Sequence, residues 1–165
     1  LDFKFTLTCK MQAPPLHQVP AMPHDTDRLE HANVTVQDID RATRFLTTAL
    51  PSWRIRGGGT LDWFGKTIRW QHVGTDDNYL ALQGGGEGAL PDWQSHRLGV
   101  KHLGFVVSDL DAVVRRLTEA GFPVDHGVPD HPHRRRVYFS PDDLAQAEFI
   151  QYLSEAPEQR HSYTD

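Results

Sequence analysis

The chain has 165 residues, enough to bury one core or two half-size modules that share one, and its 38% hydrophobic and 24% charged residues suit a folded globular body, not a disordered one. A formal net charge of -5 argues against a nucleic-acid partner, and the only basic run, Arg134, Arg135 and Arg136, reads as a solvated strand end or else as a holder of a carboxylate or phosphate at a pocket mouth. The lone Cys9 excludes an internal disulfide framework, and no apolar stretch approaches the roughly 20 residues of a membrane-spanning helix.

Residues 1–28 read as an extended arm. Leu1, Phe3, Phe5 and Leu7 alternate with Asp2, Lys4 and Thr6, the period of one strand, and a Pro-rich stretch from Pro14 to Pro23 follows. The alternation leaves no uninterrupted apolar core of a secretion signal, so the cytoplasm is the expected compartment.

From His31 a first module is expected over residues 29–83. Ala32, Val34 and Val36 alternate with His31, Asn33 and Thr35, giving a strand with one apolar and one polar face. Asp38 and Asp40 then offer caps to a helix over 41–50, stopped by Pro51. Further strands are predicted at 53–56, 60–64, 67–73 and 79–83, with Gly57, Gly58 and Gly59 read as a break between the first two. Residues 84–99, opening on Gly84, Gly85 and Gly86, read as a linker; no Gly-Lys-Ser/Thr follows, so it is not a phosphate loop.

The pattern then repeats. His102, Val107, Asp109, Asp111, Arg115 and Leu117 each stand 71 positions after His31, Val36, Asp38, Asp40, Arg44 and Leu46. The agreement in order, spacing and hydrophobic pattern marks an internal duplication. The second module, 100–153, is expected to hold a strand from His102, a helix over 111–120 closed by Gly121, and strands at 124–128, 135–139 and 147–152. Residues 154–165 read as a polar, frayed tail.

Two histidines open equivalent strands on otherwise polar faces, which places two imidazoles at matching points of two similar sheets. Either alone reads as a structural or surface histidine; the pairing favours ligands. Glu148 opens the last strand and is the best third donor. Two imidazoles and one carboxylate leave coordination positions open, an arrangement suited to Fe, Mn, Co, Ni or Zn. Tyr138 reads either as a hydrogen-bond donor to a substrate oxyanion or as a phenol packed at the sheet edge. His72 and His126 stand as accessory acid/base candidates, and His131 and His133 as members of a polar loop. Trp63, Trp70 and Trp93 read as core, interface or pocket lining.

The residues Leu29-Glu30-His31, Val100-Lys101-His102, both Asp-x-Asp helix starts, and Tyr138-Phe139-Ser140-Pro141-Asp142 leading to Glu148-Phe149-Ile150 resemble the vicinal oxygen chelate superfamily. It includes glyoxalase I, fosfomycin-resistance enzymes, bleomycin-binding proteins and extradiol dioxygenases. The resemblance implies an α+β fold of two βαβββ modules forming a curved mixed sheet around a metal and substrate cavity. It matches His31, His102 and Glu148 to family ligands and sets Ala81 where glyoxalase I carries a fourth, with Gln83 two residues on as a neutral oxygen donor to metal or substrate. The implied activity is that of a divalent-metal enzyme on a small oxygen-chelating substrate, extradiol-oxygenase-like or a lyase, isomerase or thiol transferase. A metal-free, bleomycin-sequestering type of binding protein is the alternative. A homodimer is expected, with neither a nucleic acid nor a membrane as partner.

Overall fold

The computed structural model describes residues 27–90, 92–129, 131–142 and 144–163. The strand expected at 1–7 and the Pro-rich stretch lie outside them. In chain order the elements are β1 (His31–Thr35), α1 (Ile39–Ala49), β2 (Arg54–Trp63), β3 (Lys66–Gly74) and β4 (Tyr79–Gln83). There follow β5 (His102–Val106), α2 (Leu110–Glu119), β6 (His126–Gly127), β7 (Arg134–Phe139), β8 (Gln146–Tyr152) and α3 (Pro157–Arg160).

The strands form two four-stranded mixed sheets, ordered β1-β4-β3-β2 and β5-β8-β7-β6. This is the duplicated α+β architecture read from the sequence, but as two sheets: among the described residues no strand ladder joins β1 to β5. In each sheet the first strand pairs parallel with the last, and the other pairings are antiparallel. A helix must therefore carry the chain across one face of each sheet before it returns.

Asp38 and Asp109 cap the two helices, their carboxylates accepting from the backbone N–H of Asp40 and Arg41 and of Ala112 respectively. Asp40 and Asp111 do something else. Each takes a two-pronged hydrogen bond from an arginine of the antiparallel strands, Arg69 at 2.9 Å and Arg135 at 2.8–3.0 Å, so the same helix-to-sheet clamp occurs twice. Gly121 ends α2 at φ 86°, a conformation that costs glycine nothing.

Both helices lie over one shared core. Phe45 of α1 is fully buried against Phe122, Phe139 and Phe149 of the second module, with ring centroids 5.1–6.3 Å apart. The helix ends are stitched reciprocally: Arg116 donates to the carbonyls of Thr48 and Ala49 at 2.9 and 2.7 Å, and Arg44 to that of Ala120 at 3.4 Å. Each guanidinium meets the carbonyl-rich end of the other module's helix, where a cation is favoured.

Three expectations need correction. Gly57, Gly58 and Gly59 do not break the chain; β2 runs through them, paired with His72, Gln71 and Trp70, after a register shift between Ile55 and Gly57. A glycine pairs through its backbone as any residue does, and Gly58 is required there: a Cβ would come 2.9 Å from the Trp70 carbonyl oxygen. The strand expected at 124–128 shrinks to two residues. The tail carries a one-turn helix, α3, started by Pro157 and held by Arg160, whose guanidinium lies 4.4 Å from the Tyr152 ring centroid.

Candidate metal and substrate site

Alternation along the strands sends residues to two faces of each sheet, one covered by the helices and one open. On the second sheet the open face carries His102 of β5, Glu148 of β8, Arg134, Arg136 and Tyr138 of β7, and His126 of β6. Glu148 is registered opposite Gly104 and Tyr138, and His126 opposite Tyr138, so these groups adjoin one another across three neighbouring ladders.

The centre is a buried carboxylate. Glu148 is only 7% exposed. Its Oε2 lies 3.3 Å from His102 Nε2, and its Oε1 accepts the Tyr138 hydroxyl at 2.6 Å with an Arg136 guanidinium nitrogen 3.7 Å away. Burial first and the neighbouring Glu148 carboxylate second push the Tyr138 phenol up to about 12, so it stays protonated and donates. Gly104 lies beside this carboxylate: a Cβ there would stand 3.8 Å from Glu148 Oε2, an ordinary contact.

Behind Tyr138 stands a stack of rings. His126 lies parallel to the phenol at 4.6 Å and 7°, and Trp93 covers the other face of His126 at 5.1 Å. Asp125 sits 3.4 Å from His126 Nδ1, and its carboxyl is held below the usual range, chiefly by the Ser140 hydroxyl and also by the Gln146 amide.

The first sheet repeats this layout with other chemistry. Asn33 pairs with Ala81 as Gly104 pairs with Glu148, and His72 pairs with Ala81 as Tyr138 pairs with Glu148. Ala81 therefore stands at the structural position of the carboxylate, His72 at that of the phenol and Gly57 at that of His126. The open face here is a ladder of rings, Trp70, His72, Tyr79 and His31, with centroids 4.6–4.9 Å apart. The Arg56 guanidinium lies 4.2 Å from the Tyr79 ring centroid. Burial, then the charge of Arg56, lowers the His72 pKa, so that ring is neutral at pH 7.

His31 and His102 line one groove of about 340 Å³ between β1 and β5, with Trp53, Leu80, Leu103 and Phe105 among its walls. His31 is stacked on Tyr79, and its Nδ1 lies 2.9 Å from Glu30 Oε2. Among the described residues no group of three or more His, Cys, Asp or Glu is placed to hold a metal ion. The geometry thus brings His102, Glu148 and Tyr138 together, and sets His31 on the same groove but not in that cluster. Gln83 pairs with Thr35, four residues along β4 from Tyr79, the partner of His31; that is about 13 Å of strand. His131 is buried and accepts the His133 backbone N–H at 3.1 Å, a local turn contact. Trp63 is about half exposed beside Phe64 at the β2–β3 hairpin tip.

As a fit test, an imidazole and a buried carboxylate 3.3 Å apart are donors that suit a borderline divalent ion, and they would supply two of the three donors that a facial set needs. Sequence reasoning passed over Glu30, Tyr79 and the closeness of Arg136 to Glu148. Strand alternation from Tyr138 was the available signal for Arg136, and β1–β4 pairing the one for Tyr79.

Among the described residues no helix is long and apolar enough to cross a membrane. A family model described as Glyoxalase/Bleomycin resistance protein/Dioxygenase superfamily matches residues 28–149. Among solved structures, the chain is similar to a glyoxylase/bleomycin resistance protein/dioxygenase domain from Frankia sp. EAN1pec, with 26% identity and a TM-score of 0.61 over 76% of this chain and 98% of that one. It is also similar to the fosfomycin resistance protein FosX from Mesorhizobium loti, with 22% identity and a TM-score of 0.59 over 82% and 98% of the two chains. A third likeness is to a glyoxalase family protein from Bacillus cereus, with 17% identity and a TM-score of 0.62 over 81% and 100%. A search of curated protein sequences finds no match. With the model spanning most of the chain and both duplicated modules in place, the chain belongs to the glyoxalase/bleomycin resistance protein/dioxygenase superfamily.

Proposed function

We propose that the protein is a divalent-metal enzyme of this superfamily acting on a small substrate that chelates through neighbouring oxygens. The observation that carries the reading is the buried Glu148 carboxylate with His102 Nε2 3.3 Å from one oxygen and the Tyr138 hydroxyl 2.6 Å from the other. A carboxylate buried to this degree is costly unless ligands or donors compensate it. His31 is the proposed third ligand, reaching the pair across the groove it shares with His102. A homologous fold, FosX from Listeria monocytogenes, is described as complexed with Mn(II) and 1S,2S-dihydroxypropylphosphonic acid, which supports a divalent ion here.

Bound, the ion supplies a Lewis acid and a template for two substrate oxygens. The chain's own residues do the rest. Tyr138 fixes the orientation of Glu148 by donating to Oε1, which leaves Oε2 toward His102. That single proton, held up to about pH 12, serves a substrate oxyanion only when it leaves Glu148 Oε1. Trp53, Leu80, Leu103 and Phe105 exclude water from the groove floor. Gln83, remote from His31, is assigned a contact with substrate, not with metal. Ala81 in the place of a fourth ligand favours an extradiol-type oxygenase, ahead of a lyase or transferase. A homodimer is the proposed assembly, because the open sheet faces leave Val106 and Trp63 about half exposed or more.

Metal analysis of the purified protein tests this. About one divalent ion per chain is expected, falling below a tenth of that in His102→Ala and Glu148→Gln and markedly in His31→Ala; unchanged loading in all three defeats the assignment. The ring ladder of the first sheet favours a second reading, a metal-free binder of flat ligands. Ligand quenching of tryptophan fluorescence that persists in a chelator, with no turnover, would select it.

A further inference from the structure

β2 ends the first sheet, with β3 and β4 between it and β1, so its outer edge lies on the side away from the groove that His31 and His102 line. Beyond the register shift after Ile55 it pairs with β3 without interruption from Gly57 to Trp63. Trp63 and Lys66 flank a two-residue turn, Phe64 and Gly65, both at positive φ, 50° and 84°. Such a turn closes on a hydrogen-bonded pair, and in an antiparallel ladder alternate residues then turn their N–H and C=O away from the partner strand. Counted back from Trp63, the residues turned outward are Asp62, Thr60 and Gly58. Arg69, opposite Thr60, agrees with this alternation, because its carbonyl accepts the Gly84 N–H on the other side of β3. Among the described residues no backbone hydrogen bond is made to this outer edge.

An open edge of this length is normally blunted by proline, lysine or a covering segment. The seven residues Gly57-Gly58-Gly59-Thr60-Leu61-Asp62-Trp63 contain neither proline nor lysine. They alternate instead between slots and side chains that fit them. Gly57, Gly59, Leu61 and Trp63 share the open face, registered opposite His72, Trp70, Ile68 and Lys66. A Cβ at Gly57 would meet nothing within 4 Å, which makes that position a gap, whereas Leu61 and Trp63 project with 37% and 49% of their surface exposed. Laid antiparallel about Thr60, a second copy sets Trp63 over Gly57, Leu61 over Gly59 and Thr60 against Thr60. Each large side chain then covers a glycine across the ladder, which offsets the weakness of glycine in an edge strand. The same order carries Asp62 of each copy toward the end of the other strand that holds Arg54 and Arg56, where a parallel order would set like charges side by side.

Deepening the homodimer reading above, we propose that β2 pairs with β2 of a second copy, antiparallel and centred on Thr60, and joins two four-stranded sheets into one of eight strands. Trp63 of the second copy then faces His72 across the Gly57 gap and extends the ring ladder that runs from Trp70 to His31. The groove at β1 stays clear.

Because Thr60 lies opposite itself, one position tests both the edge and its register. Sedimentation velocity over an about hundredfold range of concentration is expected to show a reversible dimer. Thr60→Lys and Thr60→Glu, at an exposed position, should keep the wild-type circular dichroism and weaken the dimer about fivefold each, since like charges meet across the twofold axis. An equimolar mixture of the two should recover wild-type affinity, because opposite charges then meet. Wild type gives a reading that needs no substitution: amide exchange at Gly58, Thr60 and Asp62 should slow as concentration rises. If wild type dimerises and neither variant weakens it, or the mixture does not restore it, the pairing is overturned and the homodimer stands through another surface. Exchange at these amides that ignores concentration overturns it as well. A wild type that stays monomeric removes the pairing and the homodimer together, and leaves the metal assignment, which is read from ion content, as it was.

Discussion

Tyr138 shows how a single side chain ties stability to the site. Its hydroxyl donates to Glu148 Oε1, and its ring is only 9% exposed between His102 and His126. The folded phenol titrates near 12 against an ordinary value of 10, so its contribution is complete below pH 10 and is lost as pH rises from about 10 through 12. Alkaline titration followed by phenolate absorbance should therefore show one late-ionising tyrosine that disappears in Tyr138→Phe. That variant should lose about 1–2 kcal/mol at pH 7, because a buried carboxylate loses a donor, and the difference from wild type should close above pH 12. A deficit that is constant across pH 9–12 would refute the account. The other key residues differ in how far the sequence betrays them. Duplication singles out His31 and His102 as candidates, whereas Glu148, expected to open a strand, is the third residue of β8. Arg136 hides inside a basic run whose bland reading is a solvated strand end, and only the register of β7 against β8 separates it from Arg135.

At the scale of elements, period and punctuation reveal the helices and most strands, and glycine is where that reading fails. Three glycines in a row resemble a turn because the sequence shows flexibility but not the partner strand that removes it. In β2 the partner is β3, which accepts the backbone of all three. Gly74 works differently. It ends β3 at the tight turn into β4, and a Cβ there would lie 2.2 Å from the Asn78 carbonyl oxygen and 2.5 Å from Tyr79 Cα. Those are backbone atoms that no rotamer change can move. Gly74→Ala should thus cost about 2–3 kcal/mol in urea unfolding, at the upper end of overpacking effects. It should also displace Tyr79 and with it the ring stacked on His31. Gly57→Ala meets nothing within 4 Å and should be nearly neutral, so equal effects at the two positions would contradict the assigned register.

For the whole molecule, duplication read from sequence predicts two equivalent modules but not how they join, because the joining residues break the repeat. Arg116 caps α1, whereas the duplicated partner of Arg44 is Arg115, one position away. Phe45 likewise enters a cluster with Phe122, Phe139 and Phe149 that belongs to the other module. Neither contact has a periodic signature, since each depends on the packing of two helices across a pseudosymmetry axis. A core shared in this way should unfold as one unit. Circular dichroism, which averages both modules, and tryptophan fluorescence, weighted toward Trp53, Trp63 and Trp70 of the first, should give coincident urea transitions. Phe45→Ala removes the ring that bridges the modules and should lower stability by about 3–5 kcal/mol. The decisive feature is that the loss should appear in both probes together, although Trp93 alone of the four indoles lies beyond the first module. Separate transitions, with only the first shifted by Phe45→Ala, would show two independent cores. The groove holding His31 and His102 would then depend on a loose contact, whereas a common core fixes the two imidazoles relative to each other before any ligand arrives.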